Sequence, residues 1–366
     1  MKYTATAACL LVFVILFGSC SSPERTSKTK PETPLEKEKE TSEKRTPAFL
    51  LPYVDRGLAG FLGDDLQPYI TPKFSFSPQS VQWPFVFSEN LAAVTINGKA
   101  GFVNKIGEIS INPQFDEAQP FKEGLALIKT NSKYVFITPA GGFKIDAVYH
   151  DAKPFSSGLA AVQSQPGGAW KYIDKVGTTV IPQKFTAALS FSDGLALVQT
   201  AEYREWGYIN KEGRWVIEPQ YTEAGSFSEG LAPAELEYRQ WGYINKEGNI
   251  AIESQFLEVR PFSEGLAAVA MPESPQNLDD KRFGYINRDG KFVVKPVYKR
   301  AFAFSNGAAR VVKGGKYGFI NPRGAPITDA IFDEAWDFRN GYALVQVGSK
   351  YGYIDKNGIF SVSPGQ

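Results

Sequence analysis

The chain has 366 residues and a formal net charge of +1, which gives no electrostatic case for a nucleic-acid partner. A single histidine, His150, excludes multi-His metal sites and argues against His-based catalysis. Two cysteines, Cys9 and Cys20, are too few for a disulfide framework, and an aromatic content of 14% must be accounted for by the fold.

In chain order, Lys2 precedes an apolar run from Ala7 to Phe17 that suits a signal-peptide core and is too short to span a bilayer. Phe17-Gly18-Ser19-Cys20 resembles a bacterial lipoprotein cleavage box. The resemblance implies a signal peptide over 1–19, lipidation of Cys20, export and membrane attachment through the lipid alone. Ser21, rather than Asp, after the cysteine favours the outer membrane. The alternative is ordinary signal cleavage beside an incidental Cys. Residues 21–47 hold one large aliphatic residue, Leu35, and no aromatic. They bury too little to offset ordering entropy, so 20–47 is expected to be a disordered tether spanning about 30 Å on average. Residues 48–366 are expected to form one β-repeat domain.

From Phe87 a phrase recurs about every 35 residues. It stands as Phe-Ser-Glu-Gly-Leu-Ala at Phe227–Ala232 and Phe262–Ala267, with variants at Phe87–Ala92, Phe121–Ala126, Phe155–Ala160 and Phe191–Ala196. It weakens at Phe304–Ala309 and Phe338–Ala343. A fixed period of this size marks units that bury their apolar faces only by stacking. Within the unit from Gly194 to Phe227, Leu195–Gln199 reads as a first strand and Trp206–Asn210 as a second. Asn210-Lys211-Glu212-Gly213 reads as a tight turn, and Trp215–Ile217 as a third strand ended by Pro219. The expected unit is therefore three short antiparallel strands. The glycine after the second-strand aromatic is expected to let a neighbouring repeat's ring lie against the backbone, and the repeated rings to form the core.

The motif Trp-Gly-Tyr-Ile-Asn-Lys-Glu-Gly, followed by Val-Ile-x-Pro and the recurring phrase, resembles the WG-repeat (KWG-repeat) proteins of bacteria over roughly residues 57–363. Literal Trp-Gly occurs at Trp206-Gly207 and Trp241-Gly242, and Val135 and Lys171 replace the glycine in two units. The resemblance implies a repetitive β architecture with an envelope or interaction role, and brings no catalytic residues. Eight units follow a partial first one at Gly60–Pro72. Neither end lacks a strand, and about 36 residues is short for a four-stranded blade. An open, curved β-hairpin solenoid is therefore expected, with a closed propeller-like ring as the alternative.

The recurring acid before Gly-Leu (Glu123, Asp193, Glu229, Glu264) reads as solvated or turn-capping rather than as paired-acid catalysis. Two features break the rhythm. The spacing from Gly265 to Gly307 is 42 residues, and the extra ones fall in Pro272–Arg282, with Asp279 and Asp280 expected in an irregular loop. The second is a doubled Glu-Tyr-Arg-x-Trp: Tyr203, Arg204 and Trp206, then Tyr238, Arg239 and Trp241. Tyr and Arg are favoured anchors for protein partners; cross-strand pairing and neutral insertion are the structural alternatives. The expected function is a non-enzymatic, lipid-anchored scaffold binding an envelope or host protein, with glycan or peptidoglycan as the alternative ligand. No cofactor and no metal are expected.

Overall fold

The computed structural model describes residues 45–75, 86–145, 147–200, 202, 204–274 and 276–362. The signal-peptide reading, Cys20, nearly all of the tether and Tyr203 lie outside the described residues. Every named element is a β-strand, and the strands form nine sheets of three or four antiparallel strands each, taken in consecutive order along the chain. The sheets are the blades of a nine-bladed β-propeller. We number them in chain order: blade 1 (51–75), 2 (87–115), 3 (117–149), 4 (151–185), 5 (187–221), 6 (224–256), 7 (258–298), 8 (300–332) and 9 (334–362).

Blade 4 shows how a four-stranded blade fits the short repeat. Its strands are Asp151–Ala152, Ala160–Gln163, Trp170–Ile173 and Thr179–Phe185. Asp151–Ala152 is only two residues long and is additional to the three strands of the sequence unit, which keep the numbers one to three; it is the fourth strand. Between Phe185 and the two-residue strand of blade 5, Ala187–Ala188, stands the single residue Thr186. The fourth strand thus consumes almost no extra chain, which removes the length argument against blades.

The ring is closed, contrary to the open solenoid expected from the sequence. Each of nine hydrophobic clusters draws residues from two adjacent blades. An open stack of nine units has eight junctions. The ninth cluster joins Leu51, Tyr53, Val54 and Leu62 of blade 1 to Trp336, Leu344, Tyr351 and Tyr353 of blade 9. The Tyr353 hydroxyl, fully buried, donates to the Pro52 carbonyl across that junction. Closure needs no borrowed strand: side-chain packing between the three-stranded sheet of blade 1 and the four-stranded sheet of blade 9 achieves it.

The repeated rings lie between blades. At eight junctions a second-strand ring meets the Phe of the next blade's recurring phrase, with centroids 4.7–5.2 Å apart in tilted or edge-on geometry. Where the second-strand ring is Tyr, its hydroxyl also donates to a carbonyl of the next blade. Tyr172 reaches Leu189 at 2.7 Å, Tyr208 reaches Gly225 at 2.8 Å, Tyr243 reaches Arg260 at 2.7 Å and Tyr285 reaches Phe302 at 2.8 Å. Burial pushes these phenols far above their ordinary range, so they remain donors at any physiological pH.

The glycine after that ring serves a different contact from the one expected. A Cβ at Gly207 would lie 2.8 Å from the Ile217 carbonyl oxygen, and one at Gly284 would lie 2.4 Å from that of Val294. The close neighbour is the third strand of the same blade, which bulges there, rather than a ring of the next. Blade 3 carries Val135 instead. Its third strand is reduced to isolated bridges, Ile137 with Phe143 and Tyr134 with Tyr149.

Candidate functional site

Each blade has two functional ends. At one lie the recurring phrase and the Asn-Lys-Glu-Gly turn; at the other lie the tips joining first and second strands. The recurring phrase is a two-residue hairpin. Its first central residue has φ of 50–59° and its second 71–91° in all eight copies. Positive φ at both positions is a type I′ turn, which explains Gly at the second and Glu, Asp, Asn or Ser at the first.

These hairpins are tied to one another around the ring. The Gly124 N–H donates to the Glu89 carboxylate at 2.9 Å, Gly158 to Glu123 at 2.9 Å, Gly265 to Glu229 at 3.0 Å and Gly307 to Glu264 at 2.8 Å. Gly230 donates likewise to Asp193, and Gly341 to the Asn306 side chain. The phrase's serine donates to the next blade's Phe carbonyl, as Ser192 does to Phe227 at 2.7 Å and Ser305 to Phe338 at 2.8 Å. A cation from the next blade's turn completes the junction: Lys175 lies 3.3 Å from Glu123, and Lys246 lies 2.9 Å from Asp193. Lys246 holds the Asp193 carboxyl below its usual range. At Glu123, desolvation is outweighed by the Gly158 N–H and Lys175, and its carboxyl is also lowered. The recurring acid therefore caps the turn of the next blade.

Blade 1 has no such hairpin. Residues 47–52 run where it would sit, and a cavity of about 530 Å³ opens there. One lip is the last hairpin, with Arg339 and Asn340; the other is the first, with Glu89 and Asn90, beside Lys105. The sequence carried a signal for this place: the phrase is missing before Leu51, and Arg339 stands where Ser is usual.

The residues singled out from the sequence gather at the opposite end, on the tips of the consecutive blades 5, 6 and 7. Tyr238 and Arg239 form the tip of blade 6 between the paired Glu237 and Gln240. Tyr238 is 88% exposed, and the Arg239 N–H donates to the Glu235 carboxylate at 2.5 Å. Arg204 is exposed at the tip of blade 5, with φ of 54°, and its carbonyl accepts from the Gln199 amide at 2.7 Å. Trp206 and Trp241 are half-buried and pack against the clusters between blades. They support the tips from below.

The insertion in blade 7 is a regular extension, correcting the irregular loop expected. Ala267–Ser274 and Asn277–Ile286 form a long hairpin, and both Asp279 and Asp280 lie in its second strand. Asp280 is held within it: Arg282 lies at 2.6 Å and Lys299 at 2.9 Å. Lys299 and then Arg282 push its carboxyl down to about 2. Arg282 also reaches Glu273 at 2.6 Å, so the ion pairs stiffen the hairpin. Asp279 is exposed, beside Leu278, which is 45% exposed. Among the described residues, no group of three or more His, Cys, Asp or Glu side chains is placed to hold a metal ion.

Comparison with known proteins agrees with this architecture. A comparison with curated proteins finds no match. Among solved structures, a eukaryotic initiation factor superposes with a TM-score of 0.58 at 10% identity, covering 86% of this chain and 96% of its own. BamB from Moraxella catarrhalis gives a TM-score of 0.41 at 13% identity, covering 76% of this chain and 95% of its own. The likeness to the initiation factor is one of fold alone. The model of the WG containing repeat matches seven times, at 101–134, 136–165, 170–202, 206–238, 241–271, 283–317 and 317–351. Each matched unit from 170 onward opens on the second strand of one blade and ends in the next, so the sequence repeat is out of phase with the blade. With most of its length matched in this way, the chain belongs to the family of WG-repeat proteins.

Proposed function

We propose that this protein is a non-enzymatic, lipid-anchored cell-envelope scaffold that binds a protein partner with the tips of blades 5, 6 and 7. The carrying observation is Tyr238, a large ring 88% exposed on a turn beside Arg239. Tyr and Arg together supply the area and charge of an interface anchor. The extended hairpin of blade 7 stands next to it and offers Leu278 and Asp279. The aromatic content lends the glycan reading little support, because the repeated rings pack between blades. The lipid anchor rests on the Phe17–Cys20 box, with the outer membrane as the site of attachment.

The test is a pull-down from envelope extract with wild-type protein and an Arg204→Ala, Tyr238→Ala, Arg239→Ala variant. Loss of a partner that wild type retains is the expected outcome; unchanged capture removes these tips from the account. For anchoring, Cys20→Ser is expected to move the protein from the membrane to the soluble fraction, and continued membrane binding contradicts the anchor.

A further inference from the structure

At blade 1 the ring of hairpins is interrupted. Among the described residues, at five filled junctions a carboxylate on a type I′ turn accepts the next blade's turn N–H, and at two of them a Lys of the next blade stands beside it. The corresponding groups that face the gap from blade 2 are the Asn90 N–H and Lys105. Among the described residues Lys105 is exposed and has no carboxylate within ion-pair distance, and the Asn90 N–H has no acceptor. On the other lip, the position from which Ser305 donates to a Phe carbonyl is taken by Arg339, exposed and likewise unpaired among the described residues. Among the described residues Glu89 is the sole acid lining the cavity, and its carboxylate is engaged by the Gly124 N–H.

We propose that this gap is a binding slot for an acidic turn of a partner polypeptide. Its Glu or Asp carboxylate is received by Lys105 and the Asn90 N–H, and Arg339 donates to a backbone carbonyl of the same turn. The hairpins of the ring define the occupant: each is a turn led by Phe, with Glu or Asp at its first central position in five of the eight copies. A volume of about 530 Å³ accommodates such a turn, and Phe49 and Leu50 give it an apolar wall. A small inorganic anion would satisfy Lys105 but would leave the far lip without a partner. The slot lies at the opposite end of the blades from the hairpin tips, so it stands or falls independently of them.

The test uses the full chain and a fluorescein-labelled cyclic peptide presenting Phe-Ser-Glu-Gly on a two-residue turn, followed by fluorescence polarisation. Saturable binding is expected. Replacing the peptide's Glu by Gln, or introducing Lys105→Glu or Arg339→Glu, is expected to weaken it about tenfold or more, the scale of a charge-assisted hydrogen bond. Both protein positions are exposed, so the variants fold. Arg204→Ala with Tyr238→Ala is expected to leave this binding unchanged, which separates it from the tip interface. Absence of binding, equal binding of the Gln peptide, or indifference to both charge reversals overturns the proposal.

Discussion

The acid of the recurring phrase shows how much one residue does in a repeat ring. Asp193 adopts φ of 55°, accepts the Gly230 N–H and pairs with Lys246. The sequence shows that an acid recurs at a turn, but the group it caps belongs to a unit about 35 residues away, and no local pattern reveals that. Asn306 does the same with an amide, so Asp193→Asn is expected to keep the hydrogen bond and lower the melting temperature by only a degree or two. Asp193→Ala loses both contacts and places Ala at positive φ; it is expected to cost about 1–3 kcal/mol. Thermal melts of the two variants check the order. Because the Asp193 and Glu123 carboxyls are lowered in the fold, they bind protons more readily when unfolded. Their stabilisation is present above the unfolded carboxyl range of about 4 and is lost as pH falls through the lower folded values. The melting temperature is expected to be level from about pH 7 to 5 and to fall below about pH 4; a rise on acidification would contradict it.

At the scale of the blade, the positions of strands two and three and their turns were legible from the aromatic and β-branched runs and the Gly punctuation. The fourth strand was not, because two residues such as Asp151–Ala152 carry no periodicity. The Trp-Gly step was legible as a close contact, but not its partner. A Cβ at Gly284 would meet backbone atoms alone, the Val294 carbonyl oxygen first. Gly284→Ala is expected to destabilise by about 1–3 kcal/mol, as a shift in the thermal melt. Blade 8 carries its own lock. Arg310, 8% exposed, replaces the usual apolar residue, donates to Asp337 at 2.6 Å and lies over the Phe302 ring. A buried guanidinium in this setting holds blade 8 to blade 9 only while its acceptors remain.

For the whole molecule, the repeat count was legible and the closure was not. The phrase marks eight units and Gly60–Pro72 a partial ninth, but whether the first meets the last depends on Tyr53 and Tyr353, which are 300 residues apart in the chain and in one cluster of the ring. Tyr353→Phe removes the donor to Pro52 and is expected to destabilise the closing junction by about 1 kcal/mol. Spin labels at Arg56 and Lys350, in a chain with Cys9 and Cys20 replaced by Ser, are expected to lie within about 25 Å, since packed sheets are about 10 Å apart; an open stack of nine would separate them by about 80 Å. The candidate site was half legible. The lengthened and doubled segments of blades 5 to 7 stand out in sequence, whereas the gap at blade 1 shows only once the ring is closed. The central claim, that partner binding resides on the tips of blades 5 to 7, is tested most directly by a photo-crosslinking residue at position 238 in cells, compared with one at the blade 2 tip, position 97. The account predicts a discrete protein adduct from 238 and none from 97. No adduct from 238, or the same adduct from both, would contradict it.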